Sequence, residues 1–273
     1  MDIKKVLKEE NFTFKKAFGQ NFLTDDKLLS SIVEKSGIDD NSTVLEIGVG
    51  GGTLTRAIAK KAKRVIGFEI DNNLKPVLQK TLLEFSNVEV VFQDVMKCDM
   101  EKIEDMLGGE YTLIANLPYY ITTPIIMRFI EDAKRVKSIV ITIQKEVAER
   151  IVASEKTADY GSITVGINAV ADTKIIKYLP RELFYPAPNV DSAVVKIDIN
   201  KNKYQINDHK AFRNLVKVAF SMRRKTLVNN LMKGYQISRQ TAEEYLTKLN
   251  IPVTARGEEL STKEFVDLSN LIK

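Results

Sequence analysis

Glu46-Ile47-Gly48-Val49-Gly50-Gly51-Gly52-Thr53 follows directly on an apolar, β-branched run at 43–47. Glycines set this densely at a strand end let the backbone turn tightly and approach a ligand that a Cβ would hold away. The dinucleotide fingerprint G-x-G-x-x-G fails, because its third glycine would fall on Thr53. The G-x-G-x-G spacing leaves two readings open, a site for a nucleoside cofactor or a purely structural turn.

On either side of this loop, short runs rich in Val and Ile recur at 43–47, 64–70, 88–93, 111–116 and 138–143. Each is largely apolar, as a strand buried on both faces should be. Helical spacing fills the gaps at 54–61, 73–85, 102–107 and 123–132, and 144–154 reads as a strong helix. Alternating strand and helix predicts right-handed crossovers and a parallel sheet covered on both faces. The runs at 172–179 and 189–199, joined by the proline-stiffened loop 180–188, predict an antiparallel hairpin at one sheet edge. A polar stretch at 200–210 marks a boundary, beyond which 211–220 and 224–232 read as helices. Ser238 fits a helix N-cap, and Ser261 with Glu264 a capping box.

Spacing adds chemistry. Glu69 ends the second run 21 residues after Gly48, where a carboxylate can accept hydrogen bonds from both ribose hydroxyls of a nucleoside. Asp94 ends the third run and Asn116 the fourth, so successive strands each deliver a polar group or glycine to the carboxyl edge, the ligand-binding edge of open parallel sheets. Asn116-Leu117-Pro118-Tyr119, followed by Tyr120, joins an amide to a rigid proline and an aromatic ring. This combination suits an exocyclic amine on a flat base. The adenine N6 lone pair is delocalised into its ring, and an Asn carbonyl with a neighbouring backbone carbonyl would draw that nitrogen towards sp³ geometry, while the tyrosine stacks on the ring. Phe184 and Tyr185, held between prolines, suit a base-binding rim or a hairpin cap.

Composition sets outer bounds. The 273 residues include a lone Cys98, a lone His209 and no Trp, which excludes an internal disulfide, multi-cysteine zinc sites and the zinc deaminase pattern. No apolar run approaches the ~20 residues of a membrane span, and the charged start lacks a signal-peptide core, so a soluble, cytoplasmic chain is expected. Residues 201–273 hold 14 basic and 7 acidic side chains, against 27 and 29 in residues 1–200. A basic segment beside a near-neutral body suits either a polyanion footprint or a solvated helical surface.

The whole chain resembles the small-subunit ribosomal RNA adenine dimethyltransferase family (the KsgA type). The resemblance is carried by Phe18-Gly19-Gln20-Asn21-Phe22-Leu23, the Glu46 to Gly52 loop, Asn116 to Tyr119, Phe184 through Val194, and Phe220-Ser221-Met222-Arg223-Arg224-Lys225-Thr226-Leu227. It implies a class I, Rossmann-like α/β methyltransferase with a mostly parallel seven-stranded sheet over 1–200 and a small, basic, all-helical RNA- and ribosome-binding domain over 201–273. It implies S-adenosylmethionine as cofactor, and two methyl transfers to N6 of each of two adjacent adenosines near the 3′ end of 16S RNA. Asn21, Leu23, Gly48, Glu69, Asp94 and Asn116 would contact the cofactor. Asn116 and Leu117 would meet the target amine, Tyr119 and Phe184 would sandwich the base, and Arg223, Arg224 and Lys225 would bind RNA. The implied partner is 16S rRNA in the small subunit, with no membrane, no metal and a monomeric protein. Val49 and Gly257 stand where the family commonly has proline. Rival readings are a large-subunit resistance methyltransferase, an amino-methyltransferase of DNA or protein, and an assembly factor whose catalysis is secondary.

Overall fold

The computed structural model describes residues 2–15 and 19–272. Phe18, in the first matching stretch, lies outside them, as do Met1 and Lys273 at the limits of the expected domains. The strands are β1 (Phe22–Leu23), β2 (Thr43–Ile47), β3 (Arg64–Glu69), β4 (Val88–Phe92), β5 (Tyr111–Asn116), β6 (Val136–Gln144), β7 (Ala171–Leu179), β8 (Phe184–Tyr185) and β9 (Ser192–Ile199). Seven form one sheet in the order β4-β3-β2-β5-β6-β9-β7. The pairs β2–β3, β2–β5, β3–β4 and β5–β6 are parallel, and β9 runs antiparallel to β6.

Register positions the site. Ile47 lies opposite Phe68 on β3 and Ala115 on β5. The next residue on each strand is therefore Gly48, Glu69 and Asn116, level with one another on neighbouring strands roughly 4.8 Å apart. Glu69 pairs Phe92, which carries Asp94 two positions further along the same edge. The helices between these strands are α3 (Thr53–Ala59), α4 (Lys75–Thr81), α5 (Met100–Leu107) and α6 (Tyr119–Asp132). Two further helices precede β2, α1 (Ile3–Glu9) and α2 (Asp26–Ser36), which the strand–helix rhythm from residue 43 onward had not included.

The chain divides into two compact units, one of Met1–Ala148 with Lys174–Ile199 and one of Glu149–Thr173 with Asn200–Lys273. This differs from a single cut at 200, because Glu149–Thr173 groups with the C-terminal helices. Within that unit the Tyr160 hydroxyl donates to the Leu260 carbonyl (2.9 Å) and the Lys156 N–H to the Glu258 carbonyl (2.8 Å). The Tyr160 ring meets Phe220 edge-on at 6.1 Å, and Phe220 packs on Phe265 at 5.7 Å. The segment sits in sequence between two strands of the sheet, so chain order conceals where it packs.

The remaining helices are α7 (Lys145–Ile151), α8 (Ser162–Asn168), α9 (His209–Ala219), α10 (Leu227–Tyr235), α11 (Arg239–Lys248) and α12 (Thr262–Leu271). Helix α10 starts three residues later than the periodicity predicts. Thr226 takes the N-cap and its side chain accepts from Asn229 N–H, which leaves Arg223-Arg224-Lys225 in the turn before it rather than on a helix face. The capping box before α12 forms as read: Ser261 Oγ accepts from the Glu264 N–H and the Glu264 carboxylate accepts from the Ser261 N–H. Ser261→Ala is expected to cost about 1 kcal/mol, measured as a lowered denaturant midpoint with unchanged slope, because it strips one acceptor from the first turn of α12.

Candidate active site

One cavity opens at the carboxyl edge of the sheet and holds about 1020 Å³ of empty space, its open mouth included. Asn21, Gly48, Glu69, Asp94, Asn116, Leu117, Tyr119 and Phe184 all line it. Leu23 does not. Its side chain is buried in the core beside Phe184, its partner across the β1–β8 pair, so only its main chain is left for a ligand.

Gly48 turns with φ +78°, and a Cβ there would stand 2.9 Å from Leu117 Cδ2. The loop can therefore lie flat against the Asn116–Leu117 stretch only as glycine. Both oxygens of Glu69 are held: Oε2 accepts from the Gly50 N–H (2.8 Å) and Oε1 from the Asp71 N–H (2.8 Å). Burial raises the Glu69 carboxyl above its ordinary value, and these backbone bonds oppose the rise. Asp94 caps the short 3₁₀ turn Val95–Lys97 by accepting from the Met96 N–H (3.0 Å). The Arg128 guanidinium donates to the Val95 and Cys98 carbonyls and steadies that turn from α6.

Asn116 is the centre of the arrangement. Its Nδ2 donates to the Asn21 carbonyl (3.0 Å), which fixes the amide and leaves Oδ1 as its acceptor. Tyr119 opens α6, four residues before the helix predicted from periodicity, and its hydroxyl shares a 2.8 Å hydrogen bond with Ser192 Oγ. Burial raises its phenol above the usual range, so it stays neutral. Phe184 is 5% exposed and forms a buried wall of the cavity rather than a protruding rim. Tyr185, which sequence left undecided, packs edge-on against Phe14 at 5.5 Å and beneath Lys4 Nζ at 4.7 Å. Leu117, which also lines the cavity, keeps its side chain largely buried with Cδ2 against Gly48.

The lining carries two carboxylates and, among the described residues, neither Lys nor Arg. Such a field suits a cationic ligand better than a phosphate. The donor set fits S-adenosylmethionine. The Glu69 carboxylate retains lone pairs for ribose hydroxyls, Asp94 can accept from the adenine amine, and Gly48 leaves room at the loop for the methionine part. Sequence reasoning passed over Ile70 and Val95, apolar neighbours of Glu69 and Asp94 that line the same cavity. It also passed over Asp71, whose only signal was its place two residues after Glu69. Among the described residues no group of three or more His, Cys, Asp or Glu side chains is placed to hold a metal ion. No helix among them is long and apolar enough to cross a membrane.

Seven strands in this order, a glycine loop after β2 and an acidic end to β3 define a class I, Rossmann-like methyltransferase. Residues 11–273 match the family described as "Ribosomal RNA adenine dimethylase". The chain belongs to that family and is an S-adenosylmethionine-dependent ribosomal RNA adenine methyltransferase. It is 43% identical over 272 residues to the "Ribosomal RNA small subunit methyltransferase A" of Clostridioides difficile (strain 630), covering 98% of this chain and 94% of the relative. It is 42% identical over 277 residues to the protein of the same name from Enterococcus faecalis (strain ATCC 700802 / V583), covering 99% and 94%. Among solved structures, a dimethyladenosine transferase from Plasmodium falciparum superposes with a TM-score of 0.78 at 25% identity, over 90% of this chain and 95% of that one. The 23S rRNA methyltransferase ErmE superposes with 0.71 at 25% identity, over 92% and 98%.

Glu46, two residues before the glycine loop begins, is fully buried, and among the described residues neither carboxyl oxygen has a hydrogen-bond partner. Burial pushes its pKa up to about 8 from 4.5, and the Glu69 charge adds to the rise. The folded state therefore holds a proton that the unfolded chain gives up above pH 4.5. The associated stability is complete below that pH and drains away as pH rises towards 8, by at most ~1.4 kcal/mol per unit. Glu46→Gln is expected to flatten this decline, so that thermal unfolding between pH 5 and 8 shows the variant gaining on the wild type as pH rises.

Proposed function

We propose that the chain transfers methyl groups from S-adenosylmethionine to N6 of two adjacent adenosines near the 3′ end of 16S rRNA, twice on each. It acts on the small ribosomal subunit, in the cytoplasm, as a monomer, and contributes to subunit maturation. The observation that carries this reading is the fixed amide of Asn116. With Nδ2 bonded to the Asn21 carbonyl, Oδ1 is left as the acceptor of a side chain on the cavity wall, and an acceptor there selects a target that donates N–H. Relatives named as ribosomal RNA small subunit methyltransferases support the small subunit as the substrate.

When bound, the cofactor supplies an electrophilic methyl on a sulfonium, a good leaving group. Asn116 Oδ1 and a main-chain carbonyl of the Asn116–Leu117 stretch accept the two N6 hydrogens and draw the nitrogen towards sp³ geometry. Tyr119 and Phe184 sandwich the base, with Tyr119 steadied through Ser192. Glu69 and Asp94 hold the two ends of the adenosine moiety, and Asn21 and the Leu23 main chain cover it. Positioning of this kind can supply most of the rate acceleration. No strong general base is required, because the proton leaves after the nitrogen has become cationic.

In the helical unit, Arg223, Arg224 and Lys225 are all exposed. Arg223 Nη2 donates to the Ala158 carbonyl (2.7 Å) and lies 3.3 Å from Glu258. Its part in RNA binding is to brace the turn that presents the other two. Replacing Arg224 and Lys225 with Ala should weaken RNA binding and make the log–log salt dependence shallower by about 1.4–1.8, at 0.7–0.9 per phosphate contact, with binding of S-adenosylmethionine unchanged.

The deciding experiment incubates the protein with labelled S-adenosylmethionine and separately purified, undermodified small and large subunits, followed by nucleoside analysis. Dimethyladenosine in the small subunit alone is expected. Label in the large subunit alone would instead give the ErmE-like reading. Asn116→Ala is expected to lower turnover at least 10²-fold while the unfolding midpoint holds; near-normal methylation by that variant would defeat its assigned role. Co-sedimentation of inactive Asn116→Ala with immature small subunits tests the maturation role.

A further inference from the structure

Asp71 takes no part in the chemistry described above, yet its side chain is fully buried and its carboxylate is unusually well occupied. Oδ1 accepts from Lys15 Nζ (2.7 Å) and from the Asn73 N–H (3.2 Å), and Oδ2 accepts from Gln20 Nε2 (3.1 Å). Lys15 N–H in turn donates to Gln20 Oε1 (3.3 Å). The Asp71 main-chain N–H is the group that holds Glu69 Oε1. One residue therefore joins the cofactor's ribose site, through its backbone, to the N-terminal segment, through its side chain.

That segment reaches the chemistry directly. Next to Gln20 stands Asn21, whose carbonyl accepts from Asn116 Nδ2. Next comes β1, in which Phe22 lies opposite Tyr185 and Leu23 opposite Phe184. An amide side chain can rotate to exchange its donor and acceptor, and the bond to the Asn21 carbonyl selects the Asn116 orientation that puts Nδ2 on Asn21 and leaves Oδ1 as acceptor. The Asn21 carbonyl is in turn placed by whatever anchors Gln20.

We propose that Asp71 is a positioning residue for methyl transfer: by anchoring Gln20 and Lys15 it sets the Asn21 carbonyl that orients the Asn116 amide. Its influence falls on turnover more than on cofactor binding, because Asp71 meets Glu69 through a main-chain N–H that a side-chain substitution leaves in place. The proposal rests on the adenine-N6 reading of the Asn116 site.

The test compares Asp71→Asn, Gln20→Glu and the exchange variant Asp71→Asn/Gln20→Glu, which restores a carboxylate–amide pair with the roles reversed. Turnover is measured on undermodified small subunits, cofactor affinity by calorimetry with S-adenosylmethionine, and folding by thermal unfolding. Each single substitution is expected to lower kcat about tenfold or more with less than a threefold change in cofactor Kd, and the exchange variant to recover kcat to within about threefold of wild type. Gln20→Ala, which removes only the partially exposed side of the contact, supplies the same kcat-selective loss if Asp71→Asn does not fold. Wild-type kcat in the single variants, a loss confined to cofactor affinity, or an exchange variant no better than the singles would overturn the proposal. A wild-type protein that methylates adenine in neither subunit would instead defeat the underlying reading, and this proposal with it.

Discussion

Parallel pairing of β2 with β3 and with β5 is the constraint on which the site depends. Because Ile47 lies opposite both Phe68 and Ala115, the residues that follow emerge side by side as a glycine, a carboxylate and an amide. A one-residue slip in either pairing would carry that side chain to the other face of the sheet and dismantle the set. The register is secure because the three strands are buried on both faces, with Val44, Leu45, Val65, Ile66, Leu113 and Ile114 at 0–1% exposure. Function at this edge thus draws on packing energy from the whole sheet.

On that scaffold, the choice between amide and carboxylate sets the electrostatics. Glu69 and Asp94 make the cavity attractive to a cation, and each is restrained by backbone N–H donors. A third carboxylate at position 116 would repel the others and could not donate to the Asn21 carbonyl. Asparagine does both jobs, accepting at one atom while pinned at the other. The buried Glu46 is kept neutral near pH 7 by its own desolvation, so it adds little to the field.

The helical unit follows a different logic. Its core is built around Tyr160, Phe220 and Phe265, with the Tyr160 hydroxyl satisfied by a main-chain carbonyl. The turn bearing Arg223, Arg224 and Lys225 divides its labour. One arginine, itself exposed, is engaged by carbonyls and a carboxylate of its own unit, and its two exposed neighbours lie beside it. A charge count treats the three alike, although all are exposed and only Arg223 already shares its guanidinium with carbonyls and a carboxylate of its own unit.

Local pattern was enough to read the five strands, the glycine loop, the acidic and amide strand ends and the capping box of Ser261 with Glu264, though not that β4, at the sheet edge, is only half-buried. Each of these is written in neighbouring residues, as a period, a breaker or a cap. Tertiary structure alone decided three other matters: that Glu149–Thr173 packs with the C-terminal helices, that Phe184 is a buried wall and Leu23 a core residue, and that Asp71 ties the N-terminal segment to the cofactor edge. These depend on pairs such as Tyr160 with Leu260, Leu23 with Phe184 and Gln20 with Asp71. Contacts between residues 51 to 161 positions apart leave no local period, because what selects them is the closing of the folded chain upon itself.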